Sequence, residues 1–244
     1  MSAERSIETG TGQLSCVVRE GVAIVTLNRP EARNAFSQDM SAALRRLIPA
    51  LGADPEVRAL LVTGAGTAFS AGGDVKNMGD RRAATDLTHD ERFRVMQQRH
   101  HGTAGALRAL RKPTIAALPG AAAGAGLALA LACDIRIAAA SAFLTTGYTK
   151  IGLSGDYGIA WMLTRTIGPG LARELMLTAE RVTARRALEI GLVSRVVEDG
   201  KLQDEAFALA RSLAAGPSVA IGYIKDNLDD AFSISHAEAI DREA

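Results

Sequence analysis

Two stretches of small residues offer backbone chemistry rather than side-chain chemistry. They are "GAGTAFSAGGD" (64–74) and "GAAAGAGLALALACDI" (120–135). Each follows a predicted strand and leads into a predicted helix, 74–78 and 124–132. A helix start presents unpaired N–H groups and a partial positive charge. It suits an anion, or an oxygen that becomes negative during a reaction. Glycine and alanine let a substrate approach such a backbone closely. Gly64-Ala65-Gly66 and Gly124-Ala125-Gly126 each begin like G-x-G-x-x-G, but Phe69 and Leu129 stand where the third glycine would be. A dinucleotide site is therefore weakly supported. Either loop alone reads as a tight strand–helix turn without a ligand, whereas two in one domain argue for a shared site. A candidate side chain is Asp156, in the otherwise apolar "IGLSGDYGIAWML" (151–163), where sequence alone favours the first of two readings. These are an N-cap after the Ser154-Gly155 turn, or a carboxylate whose pKa is raised by Leu153, Ile159 and Trp161 so that it carries protons near neutral pH.

The elements that must position these residues follow from periodicity. Leu14–Arg19 and Val22–Leu27 predict a hairpin through Glu20-Gly21. A helix over 38–51 starts at an N-cap Ser37. Val57–Thr63, Thr114–Leu118, Ile135–Ala139 and Leu192–Val197 predict strands. Residues 79–90 predict a loop, and a helix over 91–111 ends in basic residues before Pro113. Further helices are predicted at about 156–168, 170–178, 183–190, 199–215 and 217–231. Strand–helix alternation implies an α/β fold with a largely parallel, covered sheet.

The totals exclude several classes. The 244 residues are 48% hydrophobic and 23% charged, as in a folded globular chain. Lys+Arg is 28 and Asp+Glu 27, a net charge of +1, which gives no electrostatic case for nucleic acid or an anionic membrane. Cys16 and Cys133 lie far apart in apolar contexts, and the four histidines show no ligand spacing with them, so neither a disulfide framework nor a metal site is expected. The N-terminus "MSAERSIETGTGQ" resembles neither a signal nor a transit peptide, and a cytoplasmic location is expected. The run Ile115 to Ala132 approaches the length of a membrane span, but Pro119 and Gly120 break it, so a buried strand–turn–helix is expected.

In order along the chain, "VTLNRPEARNAFS" (25–37), "GAGTAFSAGGDVKNM" (64–78), "PTIAALPGAAAGAGLALALACDIRIA" (113–138) and "LTRTIGPGLARELMLTAERVTARRALEIGLVSRVV" (163–197) resemble the enoyl-CoA hydratase/isomerase, or crotonase, family. Pro119 stands where that family commonly has a polar residue such as Asn. The resemblance implies a spiral of ββα units over 1–195 and a helical C-terminal segment over 196–244 that serves as a lid or trimer contact. The family usually continues with another helical segment beyond the point where "AEAIDREA" falls inside a predicted helix, so the segment is expected either to be cut short here or to be lacking in this member. It also implies a homotrimer or hexamer and an acyl group carried on coenzyme A, which belongs to the substrate, with no separate cofactor. Two backbone N–H groups, mapping to Gly73 and Ala125, would hold the thioester oxygen. Coenzyme A contacts map to Arg33, Ala35, Ala71, Asp74 and Val75, and Phe36 would line the cleft. Lys76, and less readily Lys225, would meet a phosphate or serve as surface lysines.

Hydratases of this family use two glutamates. The aligned positions hold Ala128, left to line the substrate site, and Tyr148, which is either a hydrogen-bonding partner or a wall of the acyl pocket. Some family isomerases carry one acidic residue where Asp156 stands. One carboxylate suffices for a 1,3-proton shift, so isomerisation of a 3-enoyl to a 2-enoyl thioester is the leading expectation. A 2-enoyl-CoA hydratase, a non-catalytic acyl-CoA binder and a dinucleotide-dependent oxidoreductase are the alternatives. Trp161 reads as core and His100-His101 as a solvated face.

Overall fold

The computed structural model describes residues 4–74 and 87–244. The expected helix at 74–78 and most of the loop at 79–90 lie outside these residues. Eleven strands are described: β1 (Arg5–Ile7), β2 (Leu14–Arg19), β3 (Val22–Leu27), β4 (Ala59–Gly64), β5 (Ala68–Ser70), β6 (Thr114–Leu118), β7 (Ala121–Ala123), β8 (Ile135–Ala139), β9 (Phe143–Thr145), β10 (Val182–Thr183) and β11 (Arg195–Val197). Seven form one sheet in the order β1-β2-β3-β4-β6-β8-β11, and the other four form a second sheet, β10-β9-β7-β5. From β3 to β11 the first sheet is parallel, with Val25 opposite Val62, Leu61 opposite Ile115 and Ile115 opposite Ile135. β4/β5, β6/β7 and β8/β9 each place a long strand in the first sheet and a short one in the second. This is the expected spiral of ββα units.

Sequence explains the layers. "ALLVTG" and "TIAAL" are buried along their whole length, as covered parallel strands require. "LSCVVR" alternates buried and exposed positions, because β2 lies near an edge with one face in solvent. The helices are α1 (Gln38–Ala53), α2 (His89–His100, continuing through a π turn His101–Gly105 to Ala106–Arg108), α3 (Ala125–Leu131), α4 (Ile159–Thr178), α5 (Ala184–Glu189), α6 (Leu202–Ala214), α7 (Ser218–Asp230) and α8 (His236–Glu243). Ser37 caps α1 by accepting from the Met40 N–H at 3.0 Å. Thr88 and Glu91 form a capping box at the start of α2.

Some expectations are corrected. β5, β7, β9 and β10 are only two or three residues long, and their Ala-, Ser- and Thr-rich segments carry no alternation to mark them. The two helices expected at about 156–168 and 170–178 are present as the two halves of α4, divided at the non-helical Gly168 (φ 78°, ψ 163°), and only the start moves, from 156 to Ile159. Trp161 is not core. It is 43% exposed, and the guanidinium groups of Arg165 and Arg108 lie 3.7 and 4.8 Å from its ring centroid. The apolar run at 115–132 divides into β6, β7 and α3, and no single described helix is long and apolar enough to cross a membrane.

Candidate active site

The two glycine-rich loops meet. Gly72 has φ 92°, and a Cβ built on it would lie 2.7 Å from Ala123 O and 3.3 Å from Ala125 N. A Cβ on Gly126 would lie 2.6 Å from both Cβ and O of Ser70. Only glycine permits contacts this close. Ser70 Oγ donates to Asn34 O at 2.8 Å and accepts from Gly72 N at 3.1 Å, fixing the turn from within. Asn34 is fully buried. Its Nδ2 donates to Ala65 O and Ala68 O at 2.9 and 2.8 Å, and its Oδ1 accepts from Arg29 N at 2.8 Å. Asn34 thus fastens the 29–36 loop to the first glycine-rich loop.

That packing leaves two amides available. Phe36 and Gly73 form a parallel bridge in which Phe36 N donates to Gly72 O at 2.7 Å and Asp74 N to Phe36 O at 3.4 Å. The N–H of Gly73 itself takes no part in this bridge. Ala125 is the first residue of α3, so its N–H has no partner within the helix. Among the described residues neither N–H donates a hydrogen bond. Gly73 is exposed, and Ala125 is 2% exposed.

The carboxylate stands across the same contacts. Asp156 does not cap α4: the residue before that helix is Gly158, and no side chain caps it. Instead Asp156 Oδ1 accepts from the Tyr148 hydroxyl at 2.5 Å. The Tyr148 ring, 3% exposed, places Cε1 and Cζ 3.9 Å from where a Cβ on Gly124 would lie, next to the Ala125 amide. Burial raises the pKa of Asp156 above the ordinary carboxylate value, and the Tyr148 hydrogen bond offsets part of that rise. Burial likewise holds the Tyr148 phenol well above its ordinary value. The Tyr157 ring lies 4.4 Å from the His100 ring, tilted at 45°, and meets Phe36 edge-on at 6.2 Å. Contacts therefore run from Gly73 through Phe36, Tyr157, Asp156 and Tyr148 to the Gly124–Ala125 turn, which lies against Gly72. They close a circuit with two free amides and one carboxylate.

The remaining candidates are distributed as follows. Arg33 is exposed in a left-handed conformation (φ 49°), and its carbonyl accepts from Ala71 N at 2.9 Å. Ala35 is buried, Ala71 is exposed, and Asp74 pairs with Arg29 at 3.0 Å. These residues share one flank of the Gly73 segment. Val75 and Lys76 lie outside the described residues. Ala128 has no exposed surface; it sits in the core one turn inside α3 and presents nothing to an open cleft. Lys225 Nζ is paired with Asp134 at 2.8 Å and donates to Lys112 O at 3.0 Å, so its charge is taken up within the chain. His100 is half-buried rather than solvated, and burial lowers its pKa, favouring the neutral ring; His101 is exposed as expected. Asn34, Ser70, Tyr157 and His100 were not singled out from sequence as parts of a site. Asn34, Ser70 and Tyr157 lie inside the quoted segments 25–37, 64–74 and 151–163, but nothing in their local spacing marked the contacts they make.

The arrangement can stabilise a negative oxygen with two main-chain donors and move a proton with one carboxylate. Comparison with known proteins identifies the family. The sequence profile described as "Enoyl-CoA hydratase/isomerase" matches residues 18–244. The chain is 40% identical over 217 residues to the 1,2-epoxyphenylacetyl-CoA isomerase of Escherichia coli (strain K12), covering 88% of this chain and 80% of that one. Among solved structures it is similar to Pseudomonas aeruginosa PA4980, with TM-score 0.88 and 39% identity over 97% of this chain and 99% of that one. An enoyl-CoA hydratase from Polaromonas sp. JS666 follows closely, with TM-score 0.87 and 34% identity over 94% and 88%. The match spans nearly the whole chain in both sequence and fold, and the protein belongs to the enoyl-CoA hydratase/isomerase family of enzymes.

Proposed function

We propose that the protein is an acyl-CoA isomerase that converts a 3-enoyl thioester to the 2-enoyl thioester, with Asp156 as the sole proton carrier. The Asp156 carboxylate takes a proton from the α-carbon, and the electron pair moves onto the thioester oxygen. The N–H groups of Gly73 and Ala125 donate to that oxygen while it is negative. Asp156, now protonated, exchanges its carboxyl proton with solvent on part of the turnovers and gives a proton to the γ-carbon as the double bond shifts, so solvent label enters while no group is added and none leaves. Tyr148 orients the carboxylate and keeps part of its acidity. Arg33, Ala35, Ala71 and Asp74, with Val75 and Lys76 next in sequence, would hold coenzyme A, and Phe36 would line the cleft. Copies of the chain would assemble as trimers or hexamers.

The observation that carries this reading is the single carboxylate. Alanine and tyrosine occupy the positions that resemble the hydratase glutamates, and the one acidic side chain in the circuit of contacts is Asp156, hydrogen-bonded to that tyrosine. Adding water takes a base for the water and an acid for the carbon, whereas a 1,3-shift uses one group twice. That a relative of 40% identity is named an isomerase supports the same choice. The test is incubation with a 3-enoyl-CoA and with crotonyl-CoA in deuterated water, followed by mass spectrometry. Isomer formation with deuterium uptake and without a 3-hydroxyacyl product is expected. Accumulation of the 3-hydroxyacyl product would make the protein a hydratase, and thioester binding without any label uptake would make it a binder.

A further inference from the structure

Tyr157 takes no part in the proton shift described above, yet its backbone is strained. Its φ is 49°, in the left-handed region that a bulky residue rarely occupies. Gly155 (φ 134°) and Gly158 (φ 78°) lie on either side, so three of the four residues in the turn have positive φ, and Asp156 is the fourth. Such strain persists where the surroundings over-determine it, and it collects at functional sites. The surroundings here are two rings. His100 lies 4.4 Å from the Tyr157 ring at 45°, and Phe36 meets it at 6.2 Å and 86°, an edge-to-face geometry that aromatic pairs favour. Phe36 is also the residue whose backbone is bridged to Gly73. On the opposite flank, Tyr148 ties the carboxylate to the turn that carries Ala125.

We propose that Tyr157 is a positioning residue: its ring, gripped between Phe36 and His100, registers the 155–158 turn against the Gly73 segment and shields the Asp156 carboxylate from water. This rests on reading Asp156 as the proton carrier. The ring rather than the hydroxyl carries the role, since among the described residues the Tyr157 hydroxyl makes no hydrogen bond. Burial is the largest cause of the raised Asp156 pKa, as shielding by neighbouring rings requires. The groups that act on Asp156 and Tyr157 are the Tyr148 phenol, the two guanidinium groups of Arg45 and Arg99, and the His100 imidazole, whose neutral form burial favours.

Two variants separate the ring from the backbone. Tyr157→Gly keeps the positive φ without strain and removes the ring; Tyr157→Phe keeps the ring. For each, kcat and KM are measured with the 3-enoyl thioester, and the Asp156 carboxyl is titrated by carbon-13 NMR in the unliganded protein. Tyr157→Gly is expected to lose ~10²-fold in kcat, the scale of a small misplacement, with KM little changed. Its Asp156 titration is expected to move down towards the ordinary carboxylate value. Tyr157→Phe is expected to restore both. Wild-type kcat and an unmoved titration in Tyr157→Gly would overturn the proposal, as would a loss in Tyr157→Phe equal to that in Tyr157→Gly. If the wild type fails to isomerise but the titration still moves in Tyr157→Gly, the isomerase reading falls and the positioning role stands.

Discussion

Asp156 and Tyr148 set the acid–base behaviour of the site, and their hydrogen bond makes that behaviour measurable. In the proposed mechanism the base form of Asp156 takes the proton, so kcat/KM for isomerisation is expected to rise with pH through the raised pKa of that carboxyl. Tyr148→Phe removes the interaction that holds this pKa down, so its rising limb is expected at higher pH than in the wild type. A limb that stays in place or moves to lower pH would contradict the assigned hydrogen bond. The same shift has a stability consequence. A carboxyl whose folded pKa lies above its unfolded value favours folding below the unfolded pKa and loses that contribution as pH climbs through the folded one. Asp156→Asn is therefore expected to melt higher than the wild type at pH 7, with the gap narrowing under acid conditions; thermal denaturation across pH measures it. At this scale the sequence was informative about residue types and blind to pairing. It presented Asp156 in an apolar segment with an N-cap as one reading, and nothing in the spacing of Tyr148 and Asp156 required their side chains to meet.

The turn after β5 and the start of α3 work as one element because glycines let their backbones touch. Gly72→Ala would put a Cβ 2.7 Å from Ala123 O at a φ of 92°, so the turns must separate or the backbone must bend. Activity is expected to fall by ~10²-fold, the scale of losing one oxyanion donor, together with a lower Tm. An active and equally stable Gly72→Ala would show that the two amides need not be held so close. The glycine-rich loops, the long strands and the capped α1 were legible because each rests on a local rule: small residues after an apolar run, alternation, or a cap. The short strands of the second sheet were not, because pairing with a distant strand makes them strands. The fastening role of Asn34 was hidden for the same reason, since its partners Ala65 and Ala68 lie about thirty residues away.

Across the whole molecule, the parallel pairing of β5 with β7 in the second sheet delivers both strand ends to one side, and the two glycine-rich turns that touch sit at those ends. The order of the sheets was legible only through resemblance to the family, since periodicity identifies strands and not their neighbours. The C-terminal helices bear on assembly. Val219, Tyr223, Ile224 and Leu228 of α7 are between 54% and 72% exposed, an apolar surface of the kind that subunits cover. Sedimentation is expected to give a multiple of the 25.6 kDa chain, and Leu228→Glu to lower it; a wild-type monomer would contradict the assembly. The proposed mechanism rests on one carboxylate acting with two amides, and Asp156→Asn tests that directly. Turnover of a 3-enoyl-CoA is followed in deuterated water alongside equilibrium binding of the thioester. The account predicts that isomerisation and α-deuterium uptake fall together by about 10²–10⁴-fold while binding is retained. Full turnover in Asp156→Asn would contradict it.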